Sequence, residues 1–530
     1  MKDRITLYDT TLRDGAQTQG VDFSAEDKRS IAEALDRLGV DYVEGGWPGA
    51  NPTDDAFFAE PPRLARARFT AFGMTKRAGR SAANDPGLAA LLSSRADALC
   101  LVGKAWDYQV DVALGISRVE NLDNIADSVA LAASVREVLF DAEHFFDGWR
   151  ANPDYALSAV QAAQDAGASW LVLCDTNGGT LPEDVYRIVS EVGARLPQAR
   201  LGIHAHNDTE QAVAVSLAAV RAGARQVQGT LNGLGERCGN ANLCSILAGL
   251  MLKQPYASQF ETGVEAGALK QLTAVSRLLD EILNRAPDRH APYVGPSAFA
   301  HKGGLHVSAV QKDPRTYEHV APELVGNQRV ILVSDQAGRS TILARLAALG
   351  IEVQPSDKRI ARLLDDVKSR EFLGYAYDGA EASFELLARR ALGQVPTYFT
   401  VESFRVMVER RHNAIGDLVT VSEAVVKVSA AGENFHNVGT GNGPVNALDH
   451  ALRKDLGRYS AYLQDLRLVD YKVRILTGGT EAVTRVMIES ADGNGNRWST
   501  VGVSENIVDA SFEALSDSIC YKLYRDGAPA

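Results

Sequence analysis

The chain of 530 residues is too long for one hydrophobic core, so two or three domains are expected. Its 45% hydrophobic and 23% charged residues describe an ordinary globular protein, and a net charge of −12 argues against nucleic acid or an anionic membrane surface as the main partner. Five cysteines without CxxC spacing (Cys100, Cys174, Cys238, Cys244, Cys520) predict reduced thiols, with Cys238 packing as a small residue.

The start, Met1 to Asp9, lacks the apolar stretch of a secretory signal, and no window is apolar enough to span a bilayer, so a cytoplasmic location is expected. From Ile5 to about Leu252, eight β-rich runs alternate with helical patterns: Ile5–Thr10, Asp41–Gly45, Arg68–Gly73, Ala98–Gly103, Val138–His144, Trp170–Thr176, Leu201–Asn207 and Gln226–Leu231. Ser24 is placed to cap the first helix, through Leu38, with Ile31, Ala34, Leu35 and Leu38 on one stripe. Gly39, Gly167 and Gly223 occupy equivalent junctions, each predicted to end a helix in the left-handed conformation. Eight such units favour a closed (β/α)₈ TIM barrel over an open sheet, since no Gly-rich dinucleotide turn follows the first strand.

Polar residues gather at the predicted carboxyl ends of these strands, the rim where barrels build active sites. Arg13, Asp14 and Gln17 follow the first strand, Glu44 ends the second, Asp141, Glu143 and His144 the fifth, and Thr176 the sixth. On the seventh, His204 and His206 are spaced i, i+2 and point to one face, with Leu201, Ile203 and Ala205 on the other. Such a pair suits either a metal site or two buried imidazoles bonded to backbone.

Taken together, Thr11–Gln17 (TLRDGAQ), His204–Asp208 (HAHND) and Asn232–Asn242 (NGLGERCGNAN) resemble the DRE-TIM metallolyases, in the branch of 2-isopropylmalate, homocitrate and citramalate synthases. The resemblance runs from end to end. Glu44–Pro52, Asp141–Gly148, Leu173–Pro182 and Glu236–Ser245 look most like the citramalate-forming members, which join acetyl-CoA to pyruvate. Condensation on a longer 2-oxo acid, or an aldolase-type lyase on the same barrel, are the rival expectations.

The resemblance implies that Asp14, His204 and His206 bind a divalent metal (Mg²⁺, Mn²⁺ or Zn²⁺), with Asn240 a weaker ligand. It further implies that Arg13 stabilises developing negative charge, Thr176 holds the substrate carboxylate and Glu143 takes part in acetyl-CoA activation. Asp141 and His144 leave open a structural network for Glu143. Gln17, assigned to substrate binding, and Glu44 fit either the support of ligands or an ordinary structural role. His306, within Phe299–Val307, is expected as base or base partner, with Tyr317 as helper, acting within one subunit or across a dimer; His301 is the alternative histidine of that stretch.

Three segments are expected: a catalytic barrel over 1–285, a helical linker over 286–394 covering the active site, and a regulatory or dimerisation α+β domain over 395–530. The linker turns helical beyond about Ser334, at Ala344–Leu349 and Arg359–Arg370, and strand-rich sequence begins at Thr397. Val438–Leu452 aligns without gaps to Val501–Leu515, which predicts two βαβ-like halves. Gly439–Gly443 lacks a following Gly-Lys-Ser/Thr, so no nucleotide-binding loop is expected there. By resemblance this tail binds an end product, isoleucine, in a homodimer; a purely dimer-stabilising tail also explains the duplication.

Overall fold

The computed structural model describes residues 2–530 except 284, 286, 332–338, 355, 378, 413 and 477–481; the expected linker boundaries near 286 and Ser334 fall outside them. The chain divides into two compact units, 2–299 with 319–329, and 300–318 with 330–530.

In the first unit, eight parallel strands close into a barrel: β1 (Thr6–Asp9), β2 (Tyr42–Gly46), β3 (Arg68–Met74), β4 (Ala98–Lys104), β5 (Glu137–Glu143), β6 (Trp170–Asp175), β7 (Leu201–Ala205) and β8 (Gln226–Gly229). Closure comes from β8 pairing with β1, Thr6 opposite Gln226 through Asp9 opposite Gly229. All eight agree with the expected runs to within two residues at either end.

Parity along each strand sorts the two cores. On β6, Leu171 and Leu173 join the layer between barrel and helices, whereas Trp170, Val172 and Cys174 fill the interior with Tyr8, Tyr42, Phe72 and Cys100. The interior is therefore a plug of aromatic and small side chains below, and Glu44, Asp141, Gln228 and His204 continue the same parity above it, all buried.

Helix α1 (Ala25–Leu38) begins with a capping box, the Ser24 hydroxyl accepting from the Asp27 N–H and the Asp27 carboxylate accepting from the Ser24 N–H. Its Ile31, Ala34, Leu35 and Leu38 are buried. Gly39 closes it at φ 101°, and Gly167 and Gly223 have φ of 103° and 120°. At Gly39 an added Cβ would also lie 2.9 Å from the Gly263 carbonyl oxygen, so only glycine fits.

The second unit contains helices Gly304–Lys312, Arg339–Ala348, Lys358–Phe372 and Glu381–Ala391, then two sheets. The sheets are antiparallel, β9 (Phe399–His412), β10 (Leu418–Ala430) and β11 (Glu433–Gly441), then β12 (Arg467–Ile475), β13 (Thr484–Ala491) and β14 (Arg497–Ser504). Helix α2 (Pro444–Lys454) follows β11, and α3 (Ile507–Arg525) follows β14. Each half is thus βββα, which corrects the βαβ-like expectation: the aligned stretches cover only the end of the last strand and the helix, and two further strands precede them in each half. The helix starts, Pro444 and Ile507, fall on aligned positions of the repeat.

Ala447, Leu448, Ala451 and Leu452 share one core with Ala510, Ala514, Leu515 and Ile519. The connector packs onto the second sheet and α3: Ser383 Oγ accepts from the Val501 N–H of β14 and donates to Asp517 of α3, and Tyr375 OH donates to Glu513 of α3. Among the described residues, no helix is long and apolar enough to cross a membrane.

Candidate metal centre and active site

At the carboxyl end of the barrel, Asp14, His204 and His206 bring their ligand atoms to one point. His204 Nε2 lies 3.2 Å from Asp14 Oδ2 and 3.3 Å from His206 Nε2. Asp14 leaves the β1 loop, and His204 sits on β7 with inward parity. His206 lies just past the end of β7, held by a bridge to Asn240 rather than in the strand ladder as expected from sequence. The strand stops there because His206 turns to meet the loop after β8.

The hydrogen-bond pattern decides which His204 nitrogen faces the site. Asp141 Oδ1 accepts from Gln228 Nε2 at 3.0 Å, so the Gln228 carbonyl oxygen faces His204 Nδ1 at 2.8 Å and accepts its proton. The Nε2 lone pair then points at Asp14 and His206. When His204 is neutral, three acceptors converge there, an arrangement that a proton on His204 or a cation must hold together. Asp14 Oδ2, His206 Nδ1 and both amide atoms of Asn240 are buried without a hydrogen-bond partner. These orphaned atoms and the mixed carboxylate–imidazole set fit a divalent metal, and the donor separations suit bonds of about 2.1 Å. The side chains of Asp14, His204, His206 and Asn240 would hold it.

Arg13 backs this cluster. Its Nε donates to Glu44 at 2.7 Å, its Nη2 lies 3.7 Å from Asp14, and its guanidinium carbon stands 4.0 Å over the Phe72 ring. Tyr8 OH donates to the other Glu44 oxygen at 2.8 Å. Burial pushes the Glu44 and Asp141 carboxyls up, with Arg13 opposing in both. Burial works against Asp14 as well, but Arg13 and His204 hold it well below the usual carboxylate range. His206 is pushed down to about 4, by burial first and then by His204. The result is an ionised carboxylate facing imidazoles, with a cation alongside.

A cavity of about 590 Å³ opens above the cluster, lined by Arg13, Asp14, Gln17, Glu143, Thr176, His204 and His206, with Phe72, Val102 and Cys174 as apolar wall. Gln17 is exposed at its edge. Thr176 Oγ1 accepts the His144 N–H at 2.9 Å, which leaves its own proton to donate. The helix after it starts at Pro182.

Glu143 stands apart from Asp141 and His144: Lys104 Nζ, at the end of β4, donates to it, whereas His144 faces Asp147 and Gln109. The structural network left open for Glu143 is replaced by this pair. Lys104 and Gln228 escaped the sequence reading, yet parity was the signal: Lys104 continues Ala98, Cys100 and Val102, and Gln228 continues Gln226, all inward.

His306 and Tyr317 belong to the second unit, their rings stacked at 4.1 Å and both exposed. His301 is the buried histidine of that stretch, 3.2 Å from Glu318. Cys238 is exposed at a loop tip, not packed as expected, because Arg237 and Gly239 on either side take positive φ. The other cysteines are also unpaired thiols.

A closed parallel barrel with a carboxylate–imidazole cluster and a guarded arginine at its mouth defines an HMGL-like enzyme, and the chain belongs to that family, which matches residues 4–278. Residues 293–371 match the homocitrate synthase post-HMGL domain-like family, and 378–523 the LeuA allosteric (dimerisation) domain. Over its full length the chain is similar to (R)-citramalate synthases. That of Aquifex aeolicus is 50% identical over 99% of both chains, that of Geobacter sulfurreducens 51% over 98% of both, and that of Sulfolobus acidocaldarius 44% over 98% of this chain and 97% of the relative. The DRE-TIM resemblance read from the three motifs is thereby borne out.

Proposed function

We propose that the protein condenses acetyl-CoA with pyruvate and hydrolyses the thioester, giving (R)-citramalate and free CoA. The observation that carries this is the convergence of Asp14, His204 and His206 beside Arg13 in one cavity, in a chain about half identical to citramalate synthases along its whole length. A divalent cation bound there would supply Lewis acidity, drawing electron density from the carbonyl of a chelated 2-oxo acid.

The protein's own groups do the rest. Thr176 offers its hydroxyl proton to the substrate carboxylate, Gln17 lines the entrance, and Phe72, Val102 and Cys174 give apolar surface to a methyl group. Arg13, whose Nε is committed to Glu44, keeps its terminal N–H groups for the oxygen that gains charge as the new C–C bond forms. Glu143, with Lys104 donating to it, orients the acetyl thioester. His306, stacked on Tyr317, is the base for the methyl proton on the strength of the family resemblance.

The LeuA-type domain supports a homodimer, and Met407, Val408, Val473 and Ile475 on its strands leave apolar surface exposed. Isoleucine is the effector proposed for it, and the cytoplasm the location. Thiol release measured with acetyl-CoA against pyruvate, 2-oxoisovalerate and 2-oxoglutarate tests the substrate: pyruvate should be preferred, and chelation should abolish the rate. Preference for either longer acid, or cleavage of citramalate without CoA, would overturn the reading.

A further inference from the structure

Four of the six non-glycine residues with positive φ among the described residues, His144, Glu210, Asn232 and Arg237, lie in loops at the mouth of the barrel. Backbone of this kind persists where its surroundings over-determine it, and it clusters at functional sites. Two of the four grip the same residue. His144, at φ 57°, gives its backbone N–H to Thr176 Oγ1 at 2.9 Å. Arg237, also at φ 57°, gives Nη2 to the Thr176 carbonyl oxygen at 2.7 Å. The same guanidinium forks onto Asp208, Nε to Oδ1 at 2.8 Å and Nη2 to Oδ2 at 2.9 Å, while Nη1 lies 3.6 Å from Glu236. Asp208 stands two residues past His206. One side chain from the β8 loop thus ties the β6 loop, which carries Thr176, to the β7 loop, which carries His206.

Backbone contacts bring these loops together. A Cβ on Gly178, at φ 61°, would lie 2.8 Å from the Asp208 nitrogen and 2.9 Å from the His206 carbonyl oxygen, so the β6 loop rests on the β7 loop with no room for a side chain. Thr209 Oγ1 donates to the Gly178 carbonyl at 2.9 Å, and the Asn207 N–H to the Gly239 carbonyl at 2.8 Å. None of these bonds reaches Thr176. Its two polar oxygens are held by His144 and Arg237 alone, the hydroxyl by the first and the carbonyl by the second.

We propose that Arg237 is a positioning residue for the 2-oxo acid: by holding Thr176 and Asp208 together, it fixes the Thr176 hydroxyl relative to His206, so that one carboxylate is met from both sides. The inference rests on the function proposed above, in which Thr176 donates to the substrate carboxylate. Arg237 acts through its neighbours, because its fork is already committed to Asp208 and to the Thr176 carbonyl. Three acceptors on two loops call for the rigid, planar set of donors that a guanidinium supplies; a lysine ammonium keeps the charge but not the fork. The left-handed backbone at Arg237 aims that fork across the mouth.

The test uses Arg237→Ala and Arg237→Lys, the second carrying it should the first not fold. Each should raise KM for pyruvate by about tenfold, the equivalent of one lost hydrogen bond, and leave KM for acetyl-CoA and Mn²⁺ affinity within about twofold. A double-mutant cycle with Thr176→Val asks whether the effect runs through the Thr176 hydroxyl: in that background Arg237→Lys should add less than about twofold to KM for pyruvate. An unchanged KM for pyruvate in the single variants, equal rises in KM for both substrates, or a full further tenfold in the Thr176→Val background overturns the role. If the unmodified protein releases no thiol with any 2-oxo acid, it is the proposed function that fails. Calorimetric titration of the Mn²⁺-loaded protein with pyruvate then decides the positioning role separately: weaker binding in Arg237→Lys than in the unmodified protein upholds it, and equal binding, or none in either, refutes it.

Discussion

Replacing Gln228 with leucine, similar in size and unable to hydrogen-bond, tests whether one side chain fixes the metal cluster. Gln228 stands between His204 Nδ1 at 2.8 Å and Asp141 Oδ1 at 3.0 Å, and all three are buried. Without it the imidazole loses the acceptor that keeps its proton on Nδ1, so the tautomer with Nε2 protonated and turned toward Asp14 becomes accessible. Loss of such a supporting bond typically costs about 10- to 100-fold in metal affinity, or about 1.4–2.7 kcal/mol. The stranded His204 N–H and Asp141 carboxylate add about 1–3 kcal/mol each to the loss of folding stability. Titration with Mn²⁺ followed by electron paramagnetic resonance, beside calorimetric unfolding, measures both quantities. Gln228→Glu keeps an acceptor toward His204 and should retain most of the affinity. An undiminished Mn²⁺ affinity in Gln228→Leu would refute the reasoning, since the tautomer would then be set by something else.

Two further perturbations separate charge from metal binding. Arg13→Ala should keep its metal yet lose turnover by about a hundredfold or more, as for other lost oxyanion donors. It also leaves Glu44 buried without its cation, a cost of about 3–5 kcal/mol, so metal content, rate and melting temperature are measured together and full activity would reject the role. Asp9 is wholly buried, and desolvation pushes its carboxyl up to about 7 although Thr11 donates to both oxygens. A raised folded-state value means the native state binds the extra proton, so this contribution is complete below about pH 4 and is lost as pH rises through about 7. The span of about three pK units corresponds to about 4 kcal/mol. Melting temperature should fall from pH 5 to pH 8 in the natural protein and fall less in Asp9→Asn; identical slopes would dismiss the effect.

The sequence by itself determined the barrel, because parallel strands buried on both faces and joined by capped helices leave a repeating local signature. Ser24 with Asp27, and Gly39, Gly167 and Gly223, mark helix ends through interactions spanning only a few residues, so they were legible at once. The same holds for the placement of Glu44, Glu143 and Thr176 at the carboxyl ends of their strands, and of His204 on one face of its strand. The second half was less legible: the three-stranded meanders carry charged faces, and only the final strand and helix of each half repeat visibly.

Tertiary structure alone decided which partners meet. Asp14 and His204 are 190 residues apart, Gln228 reaches Asp141 across 87, and Glu143 takes Lys104 across 39 rather than its neighbour His144. Closure of the barrel brings these strand ends together. Local pattern fixes which face a side chain occupies, but the identity of its neighbour depends on strand order and register, which are properties of the closed sheet.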